Sequence, residues 1–134
     1  MAARIILVIA ISYTLLITTL SLVQLGKISV GSFSPTDKMM HAGAYFGLAF
    51  CWLFYLFIKK QEPYNYKKGF VKVCGLVVLF GMLIEVLQGA LTTFRQADWA
   101  DIVANTIGVM IALGFFILFR NFLTHLKRQI SSFL

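Results

Sequence analysis

Four apolar runs of about 20 residues, at about 5–26, 40–58, 70–91 and 99–119, alternate with short polar stretches along the chain. Each run is long enough to cross a hydrocarbon core about 30 Å thick. The runs are continuous in hydrophobicity, whereas transmembrane barrel strands alternate in polarity. Lipid offers no partner to open backbone groups, so each run is read as a helix. The pattern predicts an all-α fold: an integral membrane four-helix transmembrane bundle, one domain over 1–134 with no repeat and no low-complexity segment. The first run is too long for a cleavable signal peptide and lacks a clear small-residue cleavage site after it.

The connections fit this scheme. Loop 1 covers roughly 27–34, and the SPTD at 34–37 reads as a helix start, with Ser34 as N-cap, Pro35 at N1 and Asp37 at N3. Loop 2 is the basic QEPYNYKKG at 61–69, and loop 3, about 92–97, is short enough to make helices 3 and 4 antiparallel neighbours. In the tail at 120–134, Leu123, Leu126 and Ile130 are mixed with Lys127 and Arg128. That spacing predicts a helical extension out of the membrane or an amphipathic helix along its surface, with His125 an interfacial residue.

Composition agrees, at 60% hydrophobic residues and a mean hydropathy of +0.86. A soluble domain of this size could not cover itself. The net charge of +7 raises the question of nucleic acid, and its placement answers it. With a cytoplasmic N-terminus, Arg4, Lys59, Lys60, Lys67, Lys68, Lys72, Arg120, Lys127 and Arg128 all face the cytoplasm, leaving only Lys27, Lys38 and Arg95 outside. This positive-inside bias predicts N-in, C-in topology, with the basic excess set against anionic lipid and no nucleic acid as partner. Cys51 and Cys74 fall inside the second and third runs and are read as small buried hydrophobes, neither a disulfide nor a metal site.

The acids are placed differently. Four of the five, Asp37, Glu85, Asp98 and Asp101, sit in or beside apolar runs, and only Glu62 does not. At 100° per residue, Asp98, Asp101, Asn105, Gly108 and Ala112 fall within an arc of about 80° on helix 4. Glu85, Gln88 and Thr92 share a side of helix 3, and Asp37, His41 and Tyr45 step by four on helix 2 beside Lys38. Glu85 and Asn105 each lie about 10 Å below the outer ends of their helices. The three stripes are therefore expected to meet in the outer half of the membrane. An ionisable group inside a span costs roughly 2.5–3.5 kcal/mol at mid-depth, so such groups normally face protein or water and mark function. Gly43-xxx-Gly47 and Ala104-xxx-Gly108-xxx-Ala112 predict close helix contacts.

DKMMHAGAYFGLAF at 37–50, then Glu85 and Gln88, then Arg95, Asp98, Asp101, Asn105 and Gly108 at their spacings, resemble the VanZ-like membrane protein family over about three of the four helices. That family takes its name from a protein associated with resistance to the glycopeptide teicoplanin. The resemblance implies a bacterial cytoplasmic-membrane protein of the cell envelope and identifies a scaffold better than a reaction. Carried over by match, the polar positions are Asp37, Lys38, His41, Tyr45, Glu85, Gln88, Arg95, Asp98, Asp101 and Asn105.

Each has a structural alternative. Asp37 and Asp98 serve as helix caps, with Asp101 at N3 behind Asp98. Lys38 and Arg95 snorkel to lipid phosphates, Tyr45 packs, Gln88 and Asn105 tie helices together, and Trp99 anchors at the interface. Glu85 resists such a reading, being inside a span, capping nothing and too short to snorkel.

Three functions remain open. As an enzyme at the outer leaflet, His41, Glu85 and Asp101 would carry acid/base chemistry. Asp37, Lys38, Tyr45, Gln88, Arg95, Asp98 and Asn105 would then bind a phospholipid or lipid-linked cell-wall precursor. As a binding or sequestering protein, the same pocket would hold a lipid head group or an amphiphilic antibiotic; proton-coupled movement of a ligand would need a homodimer. As a purely structural core, the charges would fix helix register. No cofactor is expected; His plus carboxylates admit a divalent metal, but the spacing matches no standard site.

Overall fold

The computed structural model describes residues 2–23, 35–60, 65–91 and 98–133, and these are helical almost throughout. The helices are α1 (Ala2–Leu22), α2 (Pro35–Lys59), α3 (Tyr66–Leu91), α4 (Trp99–Leu118) and α5 (Arg120–Phe133). The first four are long and apolar enough to cross a membrane. Their apolar side chains point outward as well as inward: Val8, Leu15, Leu79, Leu83, Val86, Met110 and Ile117 are all more than half exposed. Such a surface suits hydrocarbon and not water.

The helices extend beyond the apolar runs where a cap allows it. The α3 helix starts at Tyr66, four residues before the run, because the Asn65 side chain accepts from the Lys68 backbone N–H at 3.2 Å. The α2 helix starts at Pro35, the first-turn position that proline favours, with Asp37 in its first turn and Lys59 in its last. Both charges oppose the partial charges of the helix ends. Ser34, the expected N-cap, lies outside the described residues.

The α2 and α4 helices run parallel in the most extensive interface of the bundle. At their middle, Gly108 brings the backbones together: a Cβ there would lie 2.0 Å from the Ala42 carbonyl oxygen. Lower down, Phe116 is ringed by Phe50, Phe54, Phe57 and Phe70, with centroid separations of 5.2–6.5 Å. The α3 helix packs antiparallel against both, with Gly81 beneath the Tyr45 ring. Of the four spans α1 is the least buried, with only Ala10 and Ile17 covered. It is held through polar atoms: Tyr13 donates to the Ala44 carbonyl at 3.3 Å, and Trp52 Nε1 donates to Thr14 Oγ1 at 3.1 Å. Of the two expected packing glycines on α2, Gly47 lies under Tyr13, but Gly43 faces open space. The Gly43 contact is therefore not made; Gly108 seats on Ala42 and Phe46 instead.

Helical bonding continues across Phe119, where Leu123 N–H donates to the Phe119 carbonyl, so α5 follows α4 after a single-residue break. Lys127 on α5 donates to the carbonyls of Phe57, at 2.8 Å, and Lys60, capping the C-terminal end of α2. Among the described residues, one end of the bundle thus gathers most of the basic residues and the other the acids, with Lys38 among them.

Candidate functional site

The site is assembled at the polar end by the start of α4. Asp98 has extended backbone angles, φ −120° and ψ 116°, and its side chain accepts from Ala100 N–H at 2.9 Å. It is the N-cap of α4, which places Asp101 in the first turn. The Asp98 N–H in turn donates to Glu85 Oε1 at 2.7 Å. Glu85 is 2% exposed, so it fixes where α4 begins from inside the bundle. The sequence left Glu85 capping nothing on its own helix; its carboxylate instead satisfies the backbone of another.

Parallel packing then sets the first turns of α2 and α4 side by side. The Lys38 ammonium donates to Asp98 Oδ2 at 2.6 Å and to Asp101 Oδ1, with Asp37 Oδ2 at 3.8 Å. These bonds favour the ionised form of Asp98: the Lys38 ammonium, then the Ala100 N–H, hold its carboxyl below its ordinary value of 3.8. One turn deeper, His41 Nδ1 lies 3.2 Å from Asn105 Oδ1. With that oxygen as acceptor Nδ1 is the donor, and His41 Nε2 faces Asp101 Oδ2 at 3.6 Å and Asp37 Oδ1 at 4.0 Å. Asp101 and Asn105 are buried and form the floor; Asp37 and Asp98, with side chains 30% and 33% exposed, form the rim.

Six of the ten expected residues therefore meet at the α2–α4 seam: Asp37, Lys38, His41, Asp98, Asp101 and Asn105. Glu85 joins them through the Asp98 backbone. Tyr45 turns toward α3, its ring over Gly81, one turn from Glu85. Gln88 reaches α1, donating from Nε2 to the Ser21 carbonyl at 2.9 Å. Arg95 lies outside the described residues. The bond to Ser21 was not legible in the sequence, because a backbone carbonyl accepts whatever its side chain is.

Asp37, His41 and Asp101 each offer one ligand atom within 4.8 Å of the others, a donor set that suits a divalent metal. The Lys38 ammonium already supplies positive charge to Asp101 in the same place.

No curated protein and no solved structure matches the chain. A family model described as VanZ/LLP1 matches residues 11–120, from the middle of α1 to the start of α5, and spans every cluster residue. This chain, a multi-pass membrane protein, belongs to the VanZ/LLP1 family.

Proposed function

We propose that this protein binds an amphiphile through a cationic nitrogen in the amphiphile's head group, at the outer face of the bacterial cytoplasmic membrane, with both its own termini inside. The carrying observation is that three carboxylates, Asp37, Asp98 and Asp101, gather around the single ammonium of Lys38. Counted over the described residues, with His41 taken as neutral, Asp37, Lys38, Asp98 and Asp101 carry −3 + 1 = −2, and the rim carboxylates reach solvent. Among the described residues the only Lys or Arg in the group is already shared between carboxylates, which disfavours a phosphate and favours an ammonium. Amino-bearing envelope lipids and amphiphilic glycopeptides belong to this ligand class. The orientation rests on the basic end, which positive-inside reasoning assigns to the cytoplasm.

The test compares dodecylammonium with dodecyl phosphate on the purified protein in neutral detergent, by calorimetry. Dodecylammonium is expected to bind more tightly, with affinity that falls as salt is raised and is lost in Asp37→Asn/Asp98→Asn. Equal or tighter binding of dodecyl phosphate would overturn the proposal.

A second reading is favoured by the imidazole. His41 sits between Asn105 and Asp101, an arrangement that orients a general acid or base. If the bound amphiphile is also transformed, His41→Gln abolishes turnover and retains binding; unchanged turnover in that variant removes this reading.

A further inference from the structure

At mid-height of the bundle, on the far side of α2 from the ion cluster, lies a half-open crevice of about 260 Å³ between α1, α2 and α3. Leu48, Trp52, Val73, Leu76, Val77 and Phe80 line it. Its polar atoms are turned to each other, since Trp52 Nε1 donates to Thr14 Oγ1. It opens to the surface at Leu76, which is 58% exposed. Apolar cavities of about 150 Å³ hold hydrocarbon guests and exclude water, so this larger space suits a length of alkyl chain.

The α2 helix continues this wall toward the basic end. Leu48, Trp52, Tyr55 and Lys59 follow at steps of four, three and four, one face of the helix. Trp52 and Tyr55 meet edge to face at 6.0 Å, and the Lys59 ammonium lies over the Tyr55 ring at 5.1 Å. The stripe thus runs from hydrocarbon wall to aromatic belt to exposed cation over about 16 Å, the order of a phospholipid from chain to head group. Arg4, Lys67, Lys68 and Lys72 are exposed at the same end. Among the described residues every acid lies at the other end.

We infer that this crevice and stripe form a site for an anionic phospholipid of the leaflet at the basic end, one acyl chain between α1, α2 and α3 and the phosphate at Lys59. The site is separate from the ion cluster and does not depend on the ligand proposed there. Charge at the head group selects the lipid, and the crevice holds the chain.

Native mass spectrometry and thermal melting of the full chain, titrated with phosphatidylglycerol or phosphatidylcholine of matched chains, test it. Wild type is expected to retain phosphatidylglycerol in preference and to melt higher with it. Lys59→Gln is an exposed change that leaves the fold intact, and it should cut the phosphatidylglycerol affinity about fivefold, toward that of phosphatidylcholine. Leu76→Trp, which fills the crevice from its rim, should weaken both lipids. Inorganic phosphate at equal concentration should leave the melting temperature unchanged. Equal retention of the two lipids by wild type, full phosphatidylglycerol preference in Lys59→Gln, stabilisation by inorganic phosphate alone, or a lipid-free dimer covering the crevice would each overturn the inference.

Discussion

Gly108→Ala tests the seam on which the candidate site stands. The added methyl would lie 2.0 Å from the Ala42 carbonyl oxygen and 2.9 Å from the Phe46 nitrogen, where ordinary contact begins at 3.4 Å. Both neighbours are backbone, so no side-chain rotation relieves the overlap. The α2 and α4 helices must separate by more than an ångström. Overpacking of this kind costs about 1–3 kcal/mol, and a backbone obstacle puts the cost at the upper end. The displacement is carried to the site, because Lys38 lies one turn from Ala42 and Asp101 two turns from Gly108. An added ångström takes the 2.6 Å Lys38–Asp98 bond out of hydrogen-bonding range. Gly43→Ala is the matched control: nothing lies within 4 Å of its Cβ, and alanine is the better helix former by about 1 kcal/mol. Melting in detergent, followed by tryptophan fluorescence, should show Gly108→Ala well below wild type and Gly43→Ala at or above it. Dodecylammonium binding should fall only in the former. A Gly108→Ala curve that superimposes on wild type, or a Gly43→Ala curve that falls with it, refutes the reasoning.

Two further outcomes follow from the cluster. Glu85→Ala removes the acceptor of the half-buried Asp98 N–H and should lower stability by about 1–3 kcal/mol, whereas Glu85→Gln keeps an acceptor oxygen and should lose less; denaturant melting of the two variants separates them. Because the Asp98 carboxyl is held below 3.8 when folded, its stabilisation is present above that value and is lost as pH falls through the lower folded value. The melting temperature of wild type should therefore drop more steeply below about pH 4 than that of Asp98→Asn.

How much of this the sequence revealed depended on the range of the signal. The four spans and the polar stripes follow from composition and 3.6-residue periodicity, both local, and the α2–α4 convergence of Lys38, His41, Asp101 and Asn105 follows from them. Asp98 as N-cap was legible because the cap is written within three residues. Rotation about each axis was harder. Gln88 shares a stripe with Glu85, yet one bonds α1 and the other the start of α4, because a single helix face touches two neighbours. Gly43 looked like half of a packing pair, and which of two small residues meets a partner depends on the crossing point, a property of two helices together. The start of α3 was misplaced for another reason: Asn65 carries the helix past its apolar run, and hydropathy does not record caps. The start of α2 at Pro35 was legible because the SPTD sequence writes it locally.

The gathering of Asp37, Asp98 and Asp101 at the seam is a consequence of register fixed at three depths. At the polar end Lys38 meets Asp98 and Asp101; at the middle Gly108 admits Ala42 and Phe46; toward the basic end Phe116 fills the space among Phe50, Phe54 and Phe57. On α4 these contacts fall at 101, 108 and 116, all on one face. Turning α4 by one residue, about 100°, would break every level at once: Lys38 would lose Asp101, a side chain larger than glycine would meet Ala42, and the aromatic centre would empty. The hydrophobic and steric levels rest on van der Waals contact and do not depend on the balance of the charges. They hold Asp101 beside Asp98 and Asp37 around the Lys38 ammonium. Packing that sets three carboxylates around one ammonium, whatever their charge balance, is the physical basis of the ammonium recognition proposed above.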